Sequence, residues 1–120
     1  MNRGDFVTQY MLSVPAAPAD RPAPSEEDMM AAYARVAVFN DSLTAADAMV
    51  FGGGLLPVAA ARTVSGAAPT SAPEAVAVAT GNLGGFWVIE AASDAEALDW
   101  AVRGSAACGE VVEVRAFQSE

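Results

Sequence analysis

The stretch "LGGFWVIEAASDAEALDW", Leu83 to Trp100, changes its hydrophobic period part-way along, and that change restricts the folds open to the chain. Up to Glu90 the residues alternate, with Trp87 and Ile89 on one side and Phe86, Val88 and Glu90 on the other, as a strand requires. Ser93 and Glu96 then have the spacing of a capping box, in which a hydroxyl and a carboxylate satisfy backbone N–H groups that a helix start leaves open. A helix follows. It is expected to face the sheet with Ala95, Leu98, Ala101 and Val102 and to stop at Gly104. Trp100 falls off that stripe, so its expected place is under a loop or against another subunit.

The rest of the chain repeats the scheme. Residues 5–14 alternate, with Thr8, Tyr10, Leu12 and Val14 on one side and Val7, Gln9, Met11 and Ser13 on the other, both largely apolar as in a central strand. "PAAPADRPAP" supplies four prolines and reads as a loop, centred on residues 18–24. Ser25 and Asp28 open the first helix, with Glu26, Glu27 and Asp28 where the helix dipole favours negative charge. Met29, Ala32, Val36, Phe39 and Leu43 form its apolar stripe, and the helix should run to about Ala46. "AMVFGGGLLPV" reads as a strand that three glycines interrupt by a bulge or a close backbone approach. "AARTVSG" reads as a third strand ended by Gly66 and Pro69, followed by a variable loop at residues 66–74 and a short edge strand at residues 75–79. Residues 110–117 alternate as the last strand, with Val112, Val114 and Ala116 opposed to Val111, Glu113, Arg115 and Phe117.

The order β-α-β-β-(β)-β-α-β is the split βαβ arrangement of ferredoxin-like α+β domains with an extra hairpin strand. At 120 residues the chain is one domain. Both helices then cover one face of the sheet. The other face, carrying Gln9, Ser13, Glu90, Glu113 and Arg115 among apolar neighbours, is left bare, which marks an association surface or a pocket wall. Two such faces packed together would enclose a cavity, so a homodimer is expected.

Charge and composition remove whole classes of function. A net charge of -9 repels phosphate backbones and anionic lipid surfaces, so neither nucleic acid nor membrane is an expected partner. No run approaches the roughly 18 apolar residues that a membrane span needs. The start "MNRGDFVTQYMLSV" lacks the uninterrupted apolar core of a signal peptide, which makes the cytoplasm the expected location. The chain has no histidine and a single cysteine, Cys108. Histidine–cysteine zinc sites, Ser-His and Cys-His nucleophile pairs and imidazole bases are excluded, and no metal or cofactor is expected. Cys108 reads as a buried or incidental thiol.

Six blocks of the sequence together resemble a known family: "YMLSV", "VFNDSLTAA", "VFGGGLLP", "ARTV", "LGGFWVIEAASDAEALDWA" and "GEVVEVRAF", in order from Tyr10 to Phe117. They are similar to the YCII-related proteins in their DGPF-domain branch. The resemblance implies a ferredoxin-like protomer assembled as a dimeric α+β barrel, with a cleft of small-molecule size on the sheet side. Three departures limit what it carries over. The Asp-Gly-Pro-Phe motif that precedes the "LGG" strand in that branch is absent from "TSAPEAVAVATGN", Gly53 stands where the family often has a glutamate, and the histidine of the family's His-Asp pair has no counterpart. No catalytic residue can be transferred.

The candidate ligand contacts are Arg62, Tyr33, Trp87, Glu113 and Arg115. Arg62 could hold a carboxylate or enolate oxygen from the third strand, or be an exposed strand arginine. Glu113 and Arg115 share one side of the last strand, where a charge pair serves a ligand or a dimer contact equally well. Tyr33 and Trp87, with Tyr10 and Trp100, could wall an apolar site, although core packing competes for Tyr10 and Trp87. Asn40 and Asp41 could point into a cleft mouth; solvation is the simpler reading. For Gly84 and Gly85, close backbone packing is favoured over a phosphate loop, since no helix follows directly. The expected function is binding of a small apolar metabolite, with cofactor-independent cyclisation or isomerisation driven by the shape of the site, or a related cofactor-free oxygenation. The alternative is a non-catalytic ligand-binding or accessory protein whose family site has degenerated.

Overall fold

The computed structural model describes residues 7–18, 20–62 and 83–119. In chain order these form β1 (Thr8–Pro15), α1 (Glu26–Ala45), β2 (Met49–Gly54), a 3-10 turn (Val58–Ala60), β3 (Leu83–Ala91), α2 (Asp94–Cys108) and β4 (Glu113–Ala116). The strands make one open antiparallel sheet in the order β2-β3-β1-β4, so each helix joins two strands that another strand separates. No helix among the described residues is long and apolar enough to cross a membrane.

Strand register assigns the faces. Tyr10 stands opposite Ile89, and Leu12 opposite Trp87 and Val114. Side chains directly opposite one another share a face, and these five meet the helices. Tyr10, Leu12, Trp87 and Ile89 pack there with Phe39 and Leu43 of α1 and Ala97, Trp100 and Ala101 of α2. The opposite face carries Met11, Val88 and Phe51 in one row and Ser13, Phe86 and Glu113 in the next. Phe51 and Phe86 touch there, with ring centroids 6.1 Å apart. Both helices lie on the core side, so neither covers this second face. The alternation expected for β1 and β3 is observed over their described residues; β4 alternates too, but it spans only Glu113–Ala116 instead of residues 110–117.

Local chemistry fixes the helix ends. The Asp28 N–H donates to Ser25 Oγ (3.0 Å) and the Glu96 N–H to Ser93 Oγ (3.1 Å), while the Glu96 carboxylate accepts from the Ala92 N–H (3.1 Å). Both starts are therefore where the capping spacings put them. At the other end Arg35 of α1 donates from Nε to the Ala107 carbonyl (3.1 Å), placing a cation at the negative end of α2. Tyr10 Oη donates to Asp94 Oδ1 (2.5 Å), fastening the first turn of α2 to β1. Arg21 pairs with Glu110, linking the proline-rich loop to the α2–β4 connection.

Several expectations are corrected. The second helix does not stop at Gly104; it runs to Cys108 and ends at Gly109, which takes the left-handed backbone (φ 76°) that favours glycine. Gly104 is inside the helix because α1 presses against it: a Cβ there would lie 3.1 Å from the Phe39 ring. The buried stripe of α2 is accordingly Ala97, Trp100, Ala101, Gly104 and Ala107, whereas Leu98 and Val102 are 55% and 68% exposed and Ala95 is exposed. Trp100 belongs to the core, edge-on to Phe39 (6.1 Å), with the Arg103 guanidinium 4.2 Å from its ring centre. Small residues on the rest of that stripe leave room for one large ring. On α1, Phe39 and Leu43 are buried as expected, but Met29 at the far end of the stripe is exposed.

The third strand is also absent where it can be followed. Residues 58–60 form a 3-10 turn, and Ala61 and Arg62 continue as irregular chain. Pro57 at the entry to the turn has no N–H to give a ladder, which turns the chain away from the sheet edge. Residues 63–66 of that expected strand, the loop at 66–74 and the edge strand at 75–79 lie outside the described residues. β2 is shorter than expected, ending at Gly54; its register shifts between Met49 and Phe51, ahead of the glycines where a bulge was expected, while Gly52, Gly53 and Gly54 pair regularly with Trp87, Phe86 and Gly85.

Candidate functional site

A cleft of about 330 Å³ opens between α1 and the end of the sheet formed by β2 and β3. From α1, Tyr33, Val36 and Asn40 contribute at helical steps of three and four, so one face of the helix forms one wall. Trp87 supplies part of the opposite wall, and Cys108 reaches in from the last turn of α2. The remainder of the sheet side is largely glycine backbone.

Those glycines are why a cleft exists. Gly52 stands opposite Trp87, and a Cβ on it would lie 2.6 Å from the indole Cδ1, closer than real Cβ atoms come. With no Cβ there, the indole lies across β2 and Trp87 Nε1 donates to Asn40 Oδ1 at 2.8 Å. Gly54, on the same face through its register with Gly85 and Val14, has open space where a side chain would start. Gly84 approaches the β1 chain, with a notional Cβ 3.0 Å from the Pro15 carbonyl oxygen. That contact is the close backbone packing anticipated for it.

The wall is apolar, with a few polar tips. Tyr33 is 69% exposed at the mouth, and Trp87 is 6% exposed below it. Asn40 is half-buried, and its carbonyl is engaged by Trp87. The Cys108 thiol faces the carbonyls of Ser105 (3.9 Å) and Glu110 (4.0 Å). Among the described residues that line the cleft there is no carboxylate and no arginine. No cluster of three or more histidine, cysteine, aspartate or glutamate side chains among the described residues could hold a metal ion. A second depression, about 770 Å³, runs between residues 15–18 and 55–58, but its lining is proline, alanine, leucine, valine and glycine, with no side chain able to orient a ligand by hydrogen bonding.

The candidate residues separate into three places. Tyr33 and Trp87 meet at the cleft, and Asn40 joins them instead of being merely solvated; Asp41 is exposed. Glu113 and Arg115 are exposed on the opposite face of the sheet, in register with Ser13 and Met11. Arg62 is exposed and does not line the cleft. Tyr10 is a core residue whose hydroxyl is committed to Asp94. That hydrogen bond, burial and the charge of Asp94, in this order, raise its pKa above the ordinary 10.0. Reasoning from sequence missed Val36, Cys108 and the open position at Gly54. For Val36 the signal was present, three residues after Tyr33 and four before Asn40; for Cys108, which comes from another element, no local signal existed.

No protein-family model matches the chain, and no curated protein matches its sequence.

Proposed function

We propose that the chain is a YCII-related, ferredoxin-like domain that pairs with a second copy through its bare sheet face and binds a small, apolar organic molecule in the cleft beside α1. Strand order β2-β3-β1-β4 with both crossover helices on one face supports the ferredoxin-like reading. Phe51, Phe86, Met11 and Val88 on the face away from both helices support pairing, because apolar surface left bare by its own helices gains most from a copy of itself.

The observation that carries the ligand reading is the cleft wall: a tyrosine, a tryptophan and glycine backbone bordering an open volume at the small end of the range for ligand sites. Any conversion there works by shape. A site whose described lining holds no carboxylate and no arginine favours cyclisation or isomerisation by restricting the substrate's orientation over acid–base chemistry. The second reading, a non-catalytic binding protein, is favoured by one specific observation: the Asn40 carbonyl, the amide acceptor on the described wall, is already occupied by Trp87 and so is not free to orient a reacting group. Turnover separates the two readings, since only a catalyst converts a molecule that it binds.

Calorimetric titration with indane, a compact apolar probe, tests the site, and sedimentation equilibrium tests the pairing. Saturable binding of one indane per chain and a dimer at micromolar concentration are expected. Absence of saturable binding would remove the ligand reading, and a monomer would remove the pairing.

A further inference from the structure

The Asn40–Trp87 hydrogen bond determines what the cleft can offer a ligand. An indole N–H can only donate, so the atom that Asn40 turns toward Trp87 must be its carbonyl oxygen, and the assignment of oxygen and nitrogen in this amide follows from chemistry. The remainder of the side chain is an NH2 group with two hydrogens to give. Asn40 is half-buried and lines the cleft, so this donor stands at an otherwise apolar wall. The Cys108 thiol is a weak donor already directed at two backbone carbonyls, and the Tyr33 hydroxyl sits at the exposed mouth.

We infer that Asn40 is the specificity-determining residue of the cleft and that its ligand is a neutral molecule carrying a carbonyl oxygen on an apolar body: a ketone, ester or amide. This rests on the ligand reading proposed above and narrows it. Neutrality follows from the lining, because no arginine among the described residues is there to balance a carboxylate or phosphate, and the net charge of -9 opposes anions. A carbonyl follows from the donor. A purely hydrocarbon ligand would strip water from the Asn40 amide and return no hydrogen bond, whereas a carbonyl oxygen replaces that water.

The test compares indane with 1-indanone, nearly identical in shape and differing by one carbonyl, on the wild-type chain and on Asn40→Asp. The substitution keeps an oxygen for the Trp87 indole and removes the NH2 donors. The ratio of 1-indanone affinity to indane affinity is expected to fall by at least about fivefold in Asn40→Asp, the factor that loss of one neutral hydrogen bond implies, with repulsion between the new carboxylate and the carbonyl oxygen adding to it. A ratio that does not change overturns the inference. A second measurement needs no variant: in the wild-type chain the Asn40 side-chain NH2 resonances should move downfield on adding 1-indanone, as a new hydrogen bond requires, and show only the smaller ring-current shift on adding indane. Equal response to both probes would refute the carbonyl preference while leaving the cleft as a binding site. Failure of both probes to bind would refute the cleft itself and this inference with it.

Discussion

Replacing Tyr10 by phenylalanine removes one hydroxyl from the junction of β1 and α2 and leaves the ring in the core. The hydroxyl donates to Asp94 Oδ1 at 2.5 Å, and hydrogen bonds to charged acceptors contribute roughly 1.5–3 kcal/mol. Asp94 is exposed on its outer side, so water can hydrate the carboxylate once the hydroxyl has gone. The loss should sit at the low end, about 1.5 kcal/mol. With an unfolding entropy of about 2.1 cal/mol/K per residue, a chain of 120 residues should lose roughly 6 °C in Tm. Urea denaturation should give the same loss in midpoint with an unchanged slope, because no extra surface is exposed. Combined with Asp94→Ala, the two losses should fail to add by about 1 kcal/mol, since either change alone breaks the same bond. Strict additivity would refute the reasoning.

The same bond has a signature in pH. Tyr10 keeps its proton in the folded chain at a pH where an ordinary phenol has lost it, through its hydrogen bond to Asp94, burial and the nearby negative charge. Its contribution to stability is therefore complete below about pH 10 and is lost as the pH rises through the raised folded value. Tyrosinate absorbance should show a phenol titrating above 10.0 in the wild-type chain and lacking in Tyr10→Phe. Unchanged titration in the variant would contradict the assignment.

Two glycines in the cleft wall predict opposite outcomes. Gly52→Ala places a Cβ 2.6 Å from the Trp87 indole, and the displacement should cost about 1–3 kcal/mol and perturb the near-ultraviolet dichroism of Trp87. Gly54→Leu meets open space, so the melting temperature should change little while indane binding disappears as the new side chain fills the cleft. A Gly54→Leu chain that still binds indane with wild-type affinity would move the site elsewhere.

The sequence made the layers legible where a single element carries the signal. Alternation in β1, β3 and β4 was sufficient to sort Tyr10, Leu12, Trp87 and Ile89 from Met11, Phe86 and Val88, because period two depends only on neighbours along one strand. Ser25 and Ser93 were legible for the same reason: a cap is satisfied within four residues. What stayed hidden depends on contacts between elements. Gly104 reads as a helix stop until the Phe39 ring is found against it, and Trp100 reads as an outlier until small neighbours are seen to make room. The cleft is of this second kind. Asn40 and Trp87 are 47 residues apart, and neither their hydrogen bond nor its dependence on Gly52 can be anticipated from the spacing of either.

The most direct test of the account is the pair of indole N–H resonances from Trp87 and Trp100 during titration with indane. The Trp87 signal should move with saturation, because its ring is part of the cleft wall, and the Trp100 signal, from a ring packed between Phe39 and Arg103, should remain where it is. A saturable shift confined to Trp100, or none at either ring, would contradict the claim that the space beside α1 is where this protein holds its ligand.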